Sequence, residues 1–212
     1  MICEKCFKNL KYAVFVPDGF DERKKYPVIL HTHGAGSRGT DTSVLLTVGI
    51  MKQAVMGNES LKNCIIFAPQ CYADTWFEIF EQLICFSEYA ASLPYVDKNR
   101  FYASGISMGG YAIVQLMMSR PELFAAGIVC CGGGMYWNAA MLKKIPIWFF
   151  HGARDMVVYP EESLHLCAAI CSAGGNARVK IYPNNDHNCW DDTYSDPNVY
   201  EWLFSHKRES LL

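Results

Sequence analysis

Apolar residues fall into two rhythms. Short, almost continuously apolar runs occur at 12–16, 28–32, 64–68, 100–103, 127–131, 147–150 and 178–182. These read as strands, and the lack of alternation in several marks strands covered on both faces. Between them lie segments with helical spacing at 77–93, 108–119, 161–173 and 197–206, and a further helix is expected over 41–56. Pro94 stops the first of these. Pro121 follows the second, Pro160 precedes the third, and Gly174-Gly175 ends it. Strands alternating with helices predict an α/β fold: a mostly parallel central sheet with helices on both faces. No repeat, low-complexity stretch or linker interrupts the order, so residues 1–212 are expected to form one domain.

Composition narrows the classes of function. The chain has 212 residues, 51% hydrophobic and 19% charged, which is a globular balance. Nineteen Lys and Arg face 21 Asp and Glu, a net charge of −2. That leaves no electrostatic footprint for nucleic acid or an anionic membrane surface. No apolar run approaches the ~20 residues of a spanning helix. The first ten residues, MICEKCFKNL, lack the apolar stretch of a secretory signal. The ten cysteines are scattered, several of them inside apolar runs. The expectation is a cytoplasmic protein with reduced thiols. Cys3-x-x-Cys6 has metal-like spacing, but no second pair completes a site, so no metal and no cofactor are expected.

The sharpest chemical signal is Gly105-Ile106-Ser107-Met108-Gly109, placed after a predicted strand and at the start of a predicted helix. That setting is what G-x-S-x-G requires to act as a nucleophile elbow. A serine hydroxyl needs a base to take its proton. Of six histidines, His31 and His33 precede Ser107, His151 ends a strand, and His165 and His206 fall in helices. His187 lies in the polar loop Pro183-Asn184-Asn185-Asp186-His187-Asn188 after the last strand, where a loop-borne base can reach the elbow. The acid that orients it is expected at Asp155, in His151-Gly152-Ala153-Arg154-Asp155, with Asp186, Asp191, Asp192 and Glu161 as rivals. The developing oxyanion needs preorganised donors. The N–H of Met108 is one. The second is expected from the loop His33-Gly34-Ala35-Gly36-Ser37, with Ala35 favoured over Gly34 and Gly36. No G-K-[ST] follows those glycines, which argues against a nucleotide-binding loop. Trp76, Tyr136, Trp137 and Trp190 fall in loops expected at the carboxyl edge of the sheet, where ligands bind in such folds.

These stretches resemble a family, the α/β-hydrolase esterases of the predicted-peptidase and phospholipase/carboxylesterase-like group, relatives of feruloyl and acetyl-xylan esterases. The resemblance is carried by Tyr26 to Gly36, Ala68-Pro-Gln-Cys71, Val96 to Arg100, Gly105 to Tyr111, His151 to Asp155 and His187 to Asp191, which span most of the chain. It implies Ser107 as nucleophile, Asp155 and His187 as its partners, oxyanion donors at Ala35 and Met108, and Gln70 and Trp76 near the cleft. Trp137 and Trp190 join them as candidate substrate contacts. Lids in this fold are inserted after the sixth strand, and Gly132 to Lys144 is only 13 residues, so no separate cap domain is expected. The implied activity is that of a serine carboxylesterase on short acyl or hydroxycinnamoyl esters of small molecules or carbohydrate fragments. A serine peptidase with the same triad, or a non-catalytic receptor on this fold, are the alternatives. Neither nucleic acid nor membrane is an expected partner, and a homodimer is left open.

Overall fold

In the computed structural model, which describes residues 1–208, eight strands form a single sheet. They are β1 (Ile2–Phe7), β2 (Leu10–Phe15), β3 (Tyr26–Thr32), β4 (Ile65–Pro69), β5 (Val96–Ile106), β6 (Ala126–Cys130), β7 (Ile147–Gly152) and β8 (Ala177–Tyr182). Their order across the sheet is β1-β2-β4-β3-β5-β6-β7-β8. β2 runs antiparallel to both β1 and β4, and every pairing from β4 onward is parallel. Each of the seven expected runs is a strand. β5 starts earlier than expected, at Val96, because its first turn of chain pairs with Tyr26 across a register shift. β1 was not anticipated. Its sequence, ICEKCF, is polar and half exposed, because an edge strand pairs on one side only and needs no continuous apolar run.

Six α-helices cover the sheet: α1 (Gly49–Val55), α2 (Phe80–Ser92), α3 (Met108–Ser119), α4 (Glu161–Ser172), α5 (Trp190–Ser195) and α6 (Pro197–Ser205). The continuous apolar strands now have a reason. Alternate residues feed two separate cores: Val28, Leu30, Ile65 and Phe67 face α2, α3 and α4, while Ile29, Ile66 and Ala68 face α1, α5 and α6. Expectation and structure differ at two places. The helix expected over 41–56 is a 3-10 turn, Thr42–Thr47, capped by Asp41 on Ser43 N–H, and then α1. The break is Val48, whose extended backbone (φ −139°, ψ 150°) cannot continue a helix. α5 was unforeseen because WDDTYS shows no apolar period and buries only Thr193 and Tyr194.

The stretch expected to replace a cap holds one 3-10 turn, Tyr136–Leu142. No helix among the described residues is long and apolar enough to cross a membrane.

Backbones also pack closely where α3 meets the ends of β3 and β5. A Cβ added to Gly109 would lie 2.2 Å from Thr32 O, and one on Gly105 would lie 2.4 Å from Gly109 O. Both contacts are with backbone, which cannot swing aside. Gly109→Ala is therefore expected to cost at least ~3 kcal/mol, the upper end of ordinary overpacking. Urea denaturation checks this. A midpoint equal to wild type would show that α3 is free to move away from the sheet.

Candidate active site

Ser107 alone makes the turn from β5 into α3. Its φ of 53° and ψ of −121° form a backbone conformation costly to any residue with a Cβ. Hydrogen bonds on both sides hold it there. Ser107 N donates to Cys130 O at 2.9 Å, and Ser107 O accepts from Tyr111 N at 3.1 Å. Thr32 Oγ1 donates to Gly109 O at 2.7 Å and ties the first turn of α3 to β3. The turn pushes the Ser107 side chain out over the carboxyl edge of the sheet.

Two loops from neighbouring strands meet it there. His187 Nε2 lies 2.9 Å from Ser107 Oγ, and His187 Nδ1 lies 2.7 Å from Asp155 Oδ2. Asp155 follows β7 and His187 follows β8. The other oxygen of Asp155, Oδ1, accepts from Val157 N at 2.9 Å and Val158 N at 3.0 Å. Burial pushes the Asp155 carboxyl up, but the His187 hydrogen bond and these N–H groups outweigh it and hold it below the usual 3.8. Asp155 is thus an ionised acceptor. Nδ1 of His187 must carry the hydrogen, which leaves Nε2 free to accept from the Ser107 hydroxyl. Trp190 packs edge-on against His187, ring centres 5.6 Å apart, and limits its swing.

The rival acids are engaged elsewhere. Asp186 accepts from Asn188 N, Asp191 pairs with Lys52 of α1 at 3.0 Å, and Asp192 accepts from Asn185. Glu161 opens α4 and is exposed. Of the rival histidines, His31 is buried against Ser104 (Nδ1 to Oγ 3.1 Å), and His165 lies exposed on α4.

The Gly34 backbone runs beside the serine: a Cβ there would touch Ser107 Cβ at 3.4 Å. Ala35 begins a 3-10 turn, Ala35–Ser37, and Met108 begins α3. The N–H at the first position of a helix has no acceptor within that helix, so both are available to an incoming oxygen. The Ala35 loop is braced from behind. His33 Nδ1 donates to Gly34 O at 2.7 Å, while its Nε2 accepts from Cys71 N at 2.9 Å. That pair of partners fixes a neutral ring. Trp76 Nε1 donates to His33 O at 3.0 Å. Gln70 Nε2 donates to Ser37 O at 3.0 Å and Asp41 O at 2.9 Å. Arg38 Nε donates to Ala35 O at 2.9 Å.

Here the substrate-contact expectation needs correction. Gln70 is 1% exposed and Trp76 is 0% exposed. Gln70 Nε2 and Trp76 Nε1 donate to the loop, while Gln70 Oε1 is buried without a hydrogen-bond partner, so both side chains lie behind the Ala35 loop and not on its exposed side. Trp137, by contrast, is 73% exposed on the 3-10 turn after β6, and Trp190 stands beside His187. The bracing role of His33 and Cys71 was not read from sequence, because it depends on which strand ends are neighbours. Also unforeseen was the exposed apolar group Met156, Val157 and Tyr159, on the loop that leaves Asp155. A Met-Val-Val-Tyr run after the acid was the available signal.

Comparison with known proteins supports the fold and its broad type. The model of the prolyl oligopeptidase family matches residues 67–145. A probable dipeptidyl-peptidase 5 of Aspergillus terreus is 27% identical over 67% of this chain and 22% of its own length. Among solved structures, a thermostable esterase superposes with a TM-score of 0.86 at 31% identity, covering 98% of this chain and 63% of that one. A ferulic acid esterase superposes with a TM-score of 0.69 at 18% identity, covering 97% of each chain, a likeness of fold alone. The chain thus spans about a fifth of the curated peptidase and under two thirds of the esterase.

The two buried histidines on β3 and just beyond it make stability depend on pH. Burial depresses His31 from the usual 6.5 to about 3 and His33 to about 4. Between those values and 6.5 the unfolded chain binds more protons than the folded one. Stability is then complete above pH 6.5 and falls as pH drops toward 4, by up to about 1.4 kcal/mol per pH unit for each histidine. Urea midpoints at pH 7.5, 6 and 5 should fall in that order, and His33→Gln should flatten the dependence. A flat wild-type profile would mean that neither ring stays neutral on folding.

Proposed function

We propose that this chain, an α/β-hydrolase-fold protein of the serine-hydrolase type, hydrolyses carboxylic esters through an acyl-enzyme on Ser107. The observation that carries the reading is the hydrogen-bonded series Ser107–His187–Asp155, at 2.9 and 2.7 Å, beside two free helix-start N–H groups. Ser107 Oγ attacks the ester carbonyl carbon while its proton passes to His187 Nε2. The carbonyl oxygen takes up the negative charge between the N–H groups of Ala35 and Met108. Asp155 stabilises the imidazolium and does not itself take the proton. The carbonyl re-forms as the bond between the acyl carbon and the alkoxy oxygen breaks, and His187 returns the proton to that leaving oxygen. Water repeats the sequence on the acyl-enzyme and frees the acid. Each role falls to a residue of this chain, and the reading calls for no cofactor.

The proposed substrate class rests on the apolar side chains exposed on neighbouring segments. Tyr136, Trp137, Met156, Val157 and Tyr159 expose apolar and aromatic surface on the two segments that follow β6 and β7. Such a rim suits a short acyl or hydroxycinnamoyl group, with the carbohydrate or small alcohol facing solvent. The 31% identity to a thermostable esterase supports the ester reading. A second reading, peptide hydrolysis by the same residues, is favoured by the prolyl oligopeptidase match over 67–145. A non-catalytic receptor has no use for a serine, base and acid in register. We further propose a single catalytic domain in the cytoplasm.

The test is hydrolysis of p-nitrophenyl acyl esters, methyl hydroxycinnamates and dipeptidyl p-nitroanilides by wild type and Ser107→Ala. Wild type should turn over esters faster than anilides, and the variant should fall by about three orders of magnitude or more. Equal rates would remove Ser107 from the mechanism, and a preference for anilides would favour the peptidase. Trp137→Ala should raise KM for methyl hydroxycinnamates several-fold and leave p-nitrophenyl acetate unchanged. A uniform effect would place Trp137 outside the acyl site.

A further inference from the structure

A second histidine shares the carboxylate of Asp155. His151, the penultimate residue of β7, is completely buried, and its Nε2 lies 3.2 Å from Asp155 Oδ2 and 2.9 Å from Val158 O. Val158 O only accepts, so Nε2 carries a hydrogen and donates it there, and the same N–H lies in close electrostatic contact with Asp155 Oδ2 without a hydrogen bond to it. Oδ2 accepts from His187 Nδ1 at 2.7 Å. Oδ1 accepts from the N–H groups of Val157 and Val158. His151 therefore anchors, through Val158, the turn that supplies the donors to Oδ1.

The far side of the His151 ring is anchored as firmly. Nδ1 lies 2.8 Å from Ser163 Oγ on α4, and Ser163 Oγ donates to Gly132 O at 3.0 Å. Gly132 in turn packs on the backbone of Gly110 in α3, where an added Cβ would approach its Cα to 2.8 Å. His151 thus connects the acid's loop, α4 and the helix that begins at the serine. The serine–histidine–acid series accounts for none of these contacts.

We propose that His151 is a positioning residue for Asp155: its bond to Val158 O holds the turn that orients the carboxylate, and its Nε2–H, 3.2 Å from Oδ2, tempers the pull of that oxygen on the base. The inference rests on the reading of Asp155 as the partner of the catalytic base. Two effects follow. Without His151 the turn loosens, and His187 loses its alignment. Without the adjacent N–H dipole, Oδ2 is a stronger acceptor, so His187 becomes more basic and the acid limb of kcat/KM moves to higher pH. The other titratable groups against this cluster are Cys189 at the start of α5 and the pair Tyr111 and Glu162 on α3 and α4, none of which the variants below alter.

The experiment compares His151→Met, similar in bulk but without a donor, with His151→Gln, whose amide N–H replaces Nε2–H. Three readouts are taken: kcat and KM on the best ester of the panel, the pH profile, and the low-field proton resonance of His187 Nδ1–H, which needs no substrate. His151→Met should lower kcat by about 10- to 100-fold, the scale of leaving the buried Val158 O without its donor. Its KM should stay within about twofold. The His187 resonance should shift or broaden, and the Gln variant should restore both kcat and the resonance. Should the Met variant fail to fold, Ser163→Ala frees the ring from its other side and is expected to move the same resonance. An unmoved resonance and pH profile in the folded variant overturn the proposal, as does a Gln variant no better than Met. If the resonance moves as expected while Ser107→Ala retains full activity, the contact stands and the function assigned to the site falls.

Discussion

The site depends on one close approach of backbones. α3 can start where it does only because Gly109 lies against Thr32 O and His33 O with no side chain between them. That contact brings the end of β3, the end of β5 and the first turn of α3 to one point. It also lets Ser107 keep a φ of 53°. The strain of that conformation is sustained by hydrogen bonds to β6 and α3 and by the burial of the surrounding core. Loosen the approach, and the serine, the Met108 N–H and the Ala35 loop lose their common reference.

Around this point the chain builds with buried polar groups that are paired mostly to backbone. An unpaired buried donor or acceptor costs about 1–3 kcal/mol, so each such pairing strongly favours one geometry. His33 uses both ring nitrogens on the Ala35 and Cys71 segments. Gln70 bridges Ser37 and Asp41, and Trp76 reaches His33 O. The Ala35 N–H is therefore held in place before any substrate arrives, which is what makes an oxyanion donor effective. The base is held differently. Its loop is latched at the surface by Lys52–Asp191 and the Asn188 and Asn185 side chains. Such exposed contacts are weaker, about 0–1 kcal/mol each. The rigid side of the site carries the N–H groups of Ala35 and Met108, and the softer side carries His187, the proposed base.

Likeness to both esterases and peptidases is what this architecture leads one to expect. Serine, base, acid and oxyanion donors treat an ester and an amide carbonyl alike. What separates the two substrates is the leaving group and the surface that holds it. The apolar side chains exposed after β6 and β7 are proposed to face the acyl part, so they do not by themselves separate an ester from an amide.

Much of this was legible in the residues. The strand–helix alternation, the elbow at Ser107, the loop acid and the late loop histidine are local signals, each set by a short run of sequence whose physics does not depend on distant partners. α3 begins and ends where the sequence places it, because a glycine-flanked serine opens it and Pro121 lies beyond its end. What escaped was non-local. β1 is a strand because an edge is available to it, α5 because a buried Tyr194 needs a place, and the 41–56 segment breaks where Val48 is pulled into an extended conformation. Gln70 and Trp76 look from sequence like cleft residues. Only the tertiary structure turns them inward, because the carbonyls they satisfy belong to a loop more than thirty residues away. The same holds for His151, an ordinary strand-end histidine until the fold brings it onto Val158 O and beside Asp155. Sequence alone determined the order of the elements and which side chains are candidates for chemistry. Which buried polar group faces which partner was decided only in three dimensions, since a hydrogen bond depends on the position of both its ends.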